Sequence, residues 1–598
     1  MILRAEYPRP QFVREQWHNL NGNWQFEFDD DNVGVAERWY EPSKTLTQRI
    51  EVPFAYQTPL SGIHDPSYHD FVWYKRTFTV DPAWNGKRII LHFGAVDYRA
   101  WVYVNGQFVG THEGGHTPFS FDVTEALTWG EECITVRVED PSEDETIPRG
   151  KQSWFEKPSG IWYNRTTGIW QTVWLEAVET RHIANVKFYP DIDKGEITVE
   201  LETAGLLAGT WLNIDINFQG QPVVRDRIEL QDRYTRRSFD LFSRQVYRTG
   251  IHGAGWTWSP EHPNLFDVVL TLGEGRSPLD RVETYFGMRK VHTENGMVYL
   301  NNKPYYQKLV LDQGYWPEGL LTAPSDAHLR HDIELAKQLG FNGCRKHQKV
   351  EDPRFHYWAD HLGFIVWGEC AASQSYSNDA VGRLTREWLE IVERDFNHPC
   401  IVTWVPINES WGVPSIKHNK QQQYHSVAMY NLIHSLDPTR LVISNDGWEM
   451  TVTDICGVHN YSHGNPDEPH VYEEFKRMLS TQETMVASKP AYRSQYADGF
   501  SYQGEPVMLT EFGGIGYKTG EEAGWGYTSV TTEEDFVSEY ARVLAAVYSS
   551  QVIHGFCYTQ LTDVEQEING LVAYDRTPKC DPARIKAIND SWHYHFIR

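Results

Sequence analysis

Apolar and polar residues alternate with period two through the first half of the chain, and this pattern predicts short β-strands. Arg88-Ile89-Ile90-Leu91-His92-Phe93 and Arg99-Ala100-Trp101-Val102-Tyr103-Val104 are typical, and an Asn105-Gly106 hairpin turn follows the second. Such runs fill residues 1–180. A second all-β stretch, 181–288, contains Glu196-Ile197-Thr198-Val199-Glu200-Leu201 and a run over 266–272. Its size and strand spacing suit an immunoglobulin-like sandwich. No Pro/Ser-rich linker separates the segments, so the modules are expected to pack directly together.

From residue 289 the pattern changes, and apolar runs alternate with helical periodicity. The runs lie at 305–311, 343–347, 364–369, 401–409, 441–445, 454–460, 507–511 and 554–560. Between the first two, Leu329, Ile333, Ala336 and Leu339 fall on one helical face. Eight such units predict a (β/α)8 TIM barrel over 289–598. An open doubly wound sheet is the alternative, but no G-x-G-x-x-G or G-x-x-x-x-G-K-[ST] phosphate loop supports it.

Two glutamates end the fourth and seventh of these runs: Glu409 in Ile407-Asn408-Glu409-Ser410-Trp411, and Glu511 in Thr510-Glu511-Phe512-Gly513-Gly514. A barrel gathers the C-terminal ends of its strands at one mouth. Two carboxylates there suggest shared acid/base and nucleophilic work on a glycosidic bond, at about 5–5.5 Å for retention or about 6.5–9.5 Å for inversion. Asn408 places an amide beside the first of them.

Composition narrows the partners. At 598 residues several domains are expected. Aromatics make up 14% with 23 Trp, which suits sugar stacking or large β-rich cores equally. The formal charge of −26 argues against a nucleic-acid partner and fits a neutral substrate. Seven cysteines without a C-x-x-C pair argue against disulfides or a zinc finger. They favour a reducing, cytoplasmic setting, with secretion the alternative if a leader has been removed. No apolar run reaches the roughly 18 residues of a membrane span. A homo-oligomer stays open.

The chain resembles glycoside hydrolase family 2, the family of β-galactosidases, β-glucuronidases and β-mannosidases. Gly110-Thr111-His112-Glu113-Gly114-Gly115-His116 and Thr167-Gly168-Ile169-Trp170-Gln171 are similar to its jelly-roll sugar-binding β-domain. Trp258-Ser259-Pro260-Glu261-His262-Pro263 and Phe286-Gly287-Met288-Arg289 resemble the end of its sandwich domain. Asn397-His398-Pro399, leading into Asn408-Glu409-Ser410, resembles its acid/base signature. The resemblance implies Glu409 as acid/base and Glu511 as nucleophile. Arg345 would keep Glu511 charged, Tyr461 would hold it in place, and Asn408 would bind the sugar 2-hydroxyl.

The chain also departs from the family pattern. His347 sits one position early after Arg345, and Gln348 takes the expected place. Tyr558 stands where Trp is usual in strand eight. The first-strand Arg-His-Glu element is replaced by Val310-Leu311-Asp312-Gln313, leaving Asp312 as a sugar ligand or a structural aspartate. The loop around Trp162 and Tyr163 lacks the Asp that reaches into galactosidase pockets. Glu567-Ile568-Asn569-Gly570-Leu571 carries no Asn-x-Lys, which disfavours a glucuronate unless Lys346 substitutes. Trp316, Trp448 and Trp525 are candidates for sugar stacking or for packing.

His328/His331, His459/His463 and Glu369 make no convincing metal set, so no metal or other cofactor is expected. The resemblance thus implies an exo-acting retaining β-glycosidase, with β-galactoside the first substrate because that activity is frequent in the family. β-Glucuronidase, arabinosidase and a furanoside-specific relative are alternatives. A non-catalytic glycan-binding protein on the same scaffold is expected to lose one carboxylate, and both are present here.

Overall fold

The computed structural model describes residues 3–205, 209–241, 255–519 and 524–591. The N-terminal part is a jelly-roll-like pair of antiparallel sheets. The smaller orders Trp17–Asn19, Val173–Val178, Arg88–Phe93 and Phe119–Asp122. The larger orders Gln48–Val52, Gly22–Phe28, Phe71–Thr79, Glu131–Glu139, Arg99–Val104 and Gln107–Glu113. The period-two pattern sets which face is buried. Ala100, Val102 and Val104 join Ile89, Leu91 and Phe93 between the sheets, while Arg99, Trp101 and Tyr103 turn outward.

Next comes an immunoglobulin-like sandwich. His182–Asp191, Glu196–Ala204 and Tyr234–Asp240 face Gln221–Glu229, Thr210–Phe218, Phe266–Glu274 and Ser277–Phe286 across a separate apolar core.

The C-terminal part is the TIM barrel. Its parallel strands are Gln307–Asp312, Gly343–Lys346, Ile365–Glu369, Ile401–Val405, Leu441–Val442, Cys456–His459, Val507–Gly513 and Ile553–Thr559. They are laddered in order around the barrel, with the fifth and sixth at the two ends of the sheet. Asp454 bridges those ends: its N–H donates to the Val442 carbonyl (3.0 Å), and its carboxylate accepts from the Val442 N–H (2.8 Å).

Two features depart from the expected pattern. No helix separates the fifth and sixth strands, because residues 443–455 return directly as a loop. The fourth strand also ends at Val405, short of Glu409, since Pro406 has no N–H for the ladder. Helices cover the other crossovers, several with side-chain N-caps such as Ser377 on the Ala380 N–H and Thr532 on the Asp535 N–H. Among the described residues no helix is long and apolar enough to cross a membrane.

Candidate active site

Glu511 lies inside the seventh strand, so its position is fixed by the ladder on both sides. Glu409 is set differently. It follows the fourth strand by a short turn and takes a left-handed conformation (φ 52°), as does Ser410 (φ 61°). The turn is held from the fifth-strand loop. The Glu409 N–H donates to the Asp446 carbonyl (2.9 Å), the Ser410 N–H to the Asn445 amide oxygen (2.9 Å), and the Ser410 hydroxyl to Glu449 (2.8 Å). This backbone strain is offset by those bonds, and it turns Glu409 toward the mouth.

The two carboxylates meet across His459 at the end of the sixth strand. One oxygen of each and one imidazole nitrogen lie within 4.8 Å of one another. His459 Nδ1 stands 2.8 Å from Glu409 Oε1 and 3.4 Å from Glu511 Oε2, and Nε2 stands 3.3 Å from Asp446. Burial opposes charge on this imidazole, but Glu511, Asp446 and Glu409 override it and push its pKa up to about 10. Both ring nitrogens face carboxylate oxygens, which favours the charged imidazole.

Arg345 is fully buried beneath this group. Its guanidinium contacts Glu511 and Asp446 directly, Glu369 at 3.2 Å, and the Asn408 amide oxygen at 3.1 Å. Burial works against an ionised Glu511, yet the charges of His459 and Arg345 and the Tyr461 hydroxyl hold its pKa down to about 2. That hydroxyl donates to Glu511 at 2.7 Å and also meets Thr559 at 2.9 Å. Glu369 behaves in the opposite way. Burial, with Asp446 and Glu511 nearby, lifts it to about 8 despite Arg345. His347 sits 2.9 Å from Arg345 and is driven well below the usual imidazole range by burial and that neighbour's charge.

Asn408, Arg345, His347 and Tyr461 therefore converge with Glu409 and Glu511. Trp448 also stands here, its ring 5.8 Å from that of His459. Two other expected ligands do not. Asp312 is buried on Lys346 (2.6 Å) and the Gly314 N–H (2.9 Å), and Lys346 also holds Glu351 (2.8 Å) over the Phe355 ring of the helix layer. Asp312 and Lys346 are paired on adjacent strands and both face away from Arg345. Lys346 is thus committed and supplies no cation to the mouth. Tyr558 also faces outward, against Phe512 and Tyr540, while Thr559 turns toward Tyr461. Trp316 is core, under Lys349 and Arg576.

His459, Asp446 and Tyr527 were not singled out as site residues from sequence. Tyr527 is 41% exposed and stacks on Tyr461 at 3.5 Å, with Trp525 beside it. The N-terminal domain completes the rim. Tyr163 donates to Glu567, and the Asn164 amide donates to Glu565 (2.8 Å), joining its loop to the segment after the eighth strand.

Comparison with known proteins agrees with this architecture. Residues 17–176 match "Glycosyl hydrolases family 2, sugar binding domain", 181–289 match "Glycosyl hydrolases family 2", and 291–593 match "Glycosyl hydrolases family 2, TIM barrel domain". Among curated proteins, a "Beta-galactosidase" of Thermoanaerobacter pseudethanolicus is 29% identical over 71% of this chain and 53% of its own length. A "Putative beta-glucuronidase" of Formosa agariphila is 26% identical over 74% and 52%. The chain thus spans about half the length of these relatives. The solved "Beta-glucuronidase" of an uncultured Clostridium superimposes with a TM-score of 0.77 at 20% identity, over 98% of this chain and 100% of that one. With all three regions matched in order and the barrel match alone covering half the sequence, the chain belongs to glycoside hydrolase family 2.

Proposed function

We propose that the protein is an exo-acting retaining β-glycosidase that removes a terminal sugar through a covalent glycosyl-enzyme. The observation that carries this reading is the approach of Glu409 and Glu511 to within 4.8 Å around one imidazole. Nearest oxygens this close fit the shorter carboxyl spacing of retention better than the wider spacing that inversion needs for its water.

Glu511, ionised and oriented by Arg345, His459 and Tyr461, attacks the anomeric carbon. Glu409 gives its proton to the departing oxygen. Esterification consumes the charge on Glu511, and Glu409 then takes a proton from the incoming water. The Asn408 amide oxygen is tied to Arg345, while its nitrogen makes no hydrogen bond among the described residues. That nitrogen is placed to grip the 2-hydroxyl, a contact that tightens as the ring gains oxocarbenium character. The stacked Tyr461 and Tyr527 rings form one wall for the sugar.

Aryl β-glycosides test the roles. Glu511→Ala should lose roughly 10⁴-fold or more in kcat, and azide should restore turnover with an inverted glycosyl azide product. Glu409→Ala should lose about 10²–10⁴-fold on poor leaving groups and little on activated aryl groups. Normal turnover of both variants on unactivated substrates would end the proposal. The curated relatives carry both β-galactosidase and β-glucuronidase names, so the sugar turns on chemistry at the rim.

A further inference from the structure

Among the described residues five lysines are buried: Lys75, Lys151, Lys346, Lys349 and Lys579. Four have oxygen partners. Lys75 donates to the carbonyls of Trp39 and Glu41 (2.7 Å each). Lys346 holds Asp312 and Glu351, Lys349 holds Glu351 (3.1 Å), and Lys579 holds Asp563 (2.7 Å). Lys151 is the exception. It is 8% exposed, yet its ammonium has no hydrogen bond or ion pair among the described residues and only the Tyr163 ring beneath it, at 5.6 Å.

Lys151 lines a narrow cleft at the barrel mouth with Trp154, Trp162, Gln348, Gln374 and Trp411. Gln348 follows His347 at the end of the second strand, and Trp411 follows Glu409 by two residues. The Trp162 and Trp411 rings meet edge to face at 5.2 Å, walling the cleft with indole. The cleft therefore adjoins both the catalytic group and the acid/base turn. The charges nearest the carboxylate pair are already matched: Arg345 and His459 face Glu511 and Asp446. None of these anions pairs with Lys151. Lys151 thus offers a cation at an aromatic-walled mouth with no protein anion to match it, and an anionic ligand group would pair with it there.

We propose that Lys151 is a specificity residue that binds an anionic group on the substrate's terminal sugar, making the enzyme selective for a hexuronic acid β-glycoside over the neutral hexoside. The cation comes from the N-terminal domain, and not from the Asn-x-Lys position, where Gly570 and Leu571 follow Asn569. On this proposal the net charge of the surface does not choose the sugar, because one ammonium at the mouth sets the local potential.

This inference rests on the β-glycosidase reading, so its test has a binding arm as well. Hydrolysis is compared on 4-nitrophenyl β-glucuronide and β-galacturonide against the β-glucoside and β-galactoside, pairs that differ only at C6. Wild type should favour at least one acid over its neutral partner by roughly 10-fold or more in kcat/KM. Lys151→Met should lower that acid roughly 100-fold while changing the neutral glycoside less than about 3-fold, and Lys151→Arg should recover part of the loss. Free glucuronate or galacturonate should raise the melting temperature of wild type and not of Lys151→Met; glucose and galactose should act alike on both. Inactivity on all four glycosides would count against the glycosidase reading, and the melting shifts would still decide the role of Lys151. A wild-type preference for the neutral partners, equal losses on acid and neutral sugars in Lys151→Met, or equal melting shifts by uronate and hexose would overturn the proposal.

Discussion

Arg345 and His459 hold two positive charges under one carboxylate, and this arrangement has a price in pH sensitivity. His459 is fully buried, and its folded pKa of about 10 stands above the ordinary 6.5. A raised pKa means that the folded state binds the proton more tightly than the unfolded chain does. The stabilisation is therefore complete below about pH 6.5 and is lost as pH climbs through about 10. Its full size is on the order of a few kcal/mol. His459→Gln keeps a donor toward Glu409 but cannot titrate. Melting curves should show wild type losing stability from pH 6.5 to 10 more steeply than the variant. Parallel slopes would mean that His459 is not charged in the fold. Glu511 has the opposite sign. Its depressed pKa stabilises above about 4.5, and that contribution disappears as pH falls toward 2.

At the level of elements, the mouth depends on chain segments that approach too closely for a side chain. Gly150 has φ +62°, and a Cβ there would lie 2.3 Å from the Gln348 carbonyl oxygen. The N–H groups of Arg149 and Gly150 also donate to the Ala372 carbonyl (3.0 and 2.9 Å), pinning this loop to the barrel. Gly150→Ala should push the loop away from the rim. The expected result is a fall of roughly 10–100-fold in kcat/KM, as for a misplaced binding group, with the far-ultraviolet circular dichroism unchanged. Activity within about 2-fold of wild type would show that the loop contact is dispensable. All eight barrel strands were legible in the sequence, because buried parallel strands write continuous apolar runs. Strand parity is written there too: Tyr558 lies between Cys557 and Thr559, and Lys346 beside Arg345, so each must face the other way. The fourth strand stops at Val405, an end that the apolar run continuing through Ile407 conceals. The role of His459 was hidden, because the loop bringing Asp446 to it replaces a helix that the repeat pattern predicts. Gly447 permits that approach, since a Cβ there would meet the His459 ring at 2.6 Å.

On the scale of the whole molecule, the Asn397-His398-Pro399 motif makes its contacts away from the Glu409–Glu511 pair. Asn397 accepts from the Phe188 N–H (2.9 Å) and donates to the Val186 carbonyl (2.8 Å), both in the immunoglobulin-like domain. His398 contacts Asp360 at 2.6 Å, where the Tyr285 hydroxyl (2.8 Å) and the Cys400 N–H (2.9 Å) also donate. Arg289, just past the last sandwich strand, donates to the Pro399, Ile401 and Thr439 carbonyls at 2.8–3.2 Å. The motif therefore clamps the second domain onto the start of the strand that leads to Glu409. Asp360 is the centre of this clamp, fully buried with every oxygen engaged. Removing it strands a buried imidazole and a buried phenol, which should cost about 3–5 kcal/mol. Asp360→Ala should therefore melt well below wild type. At a temperature where it stays folded, kcat/KM should remain within about 3-fold, because Asp360 touches neither carboxylate. An unchanged melting temperature would show that the clamp contributes no net stability. A large loss of turnover in the folded variant would instead make the domain junction part of how Glu409 is positioned.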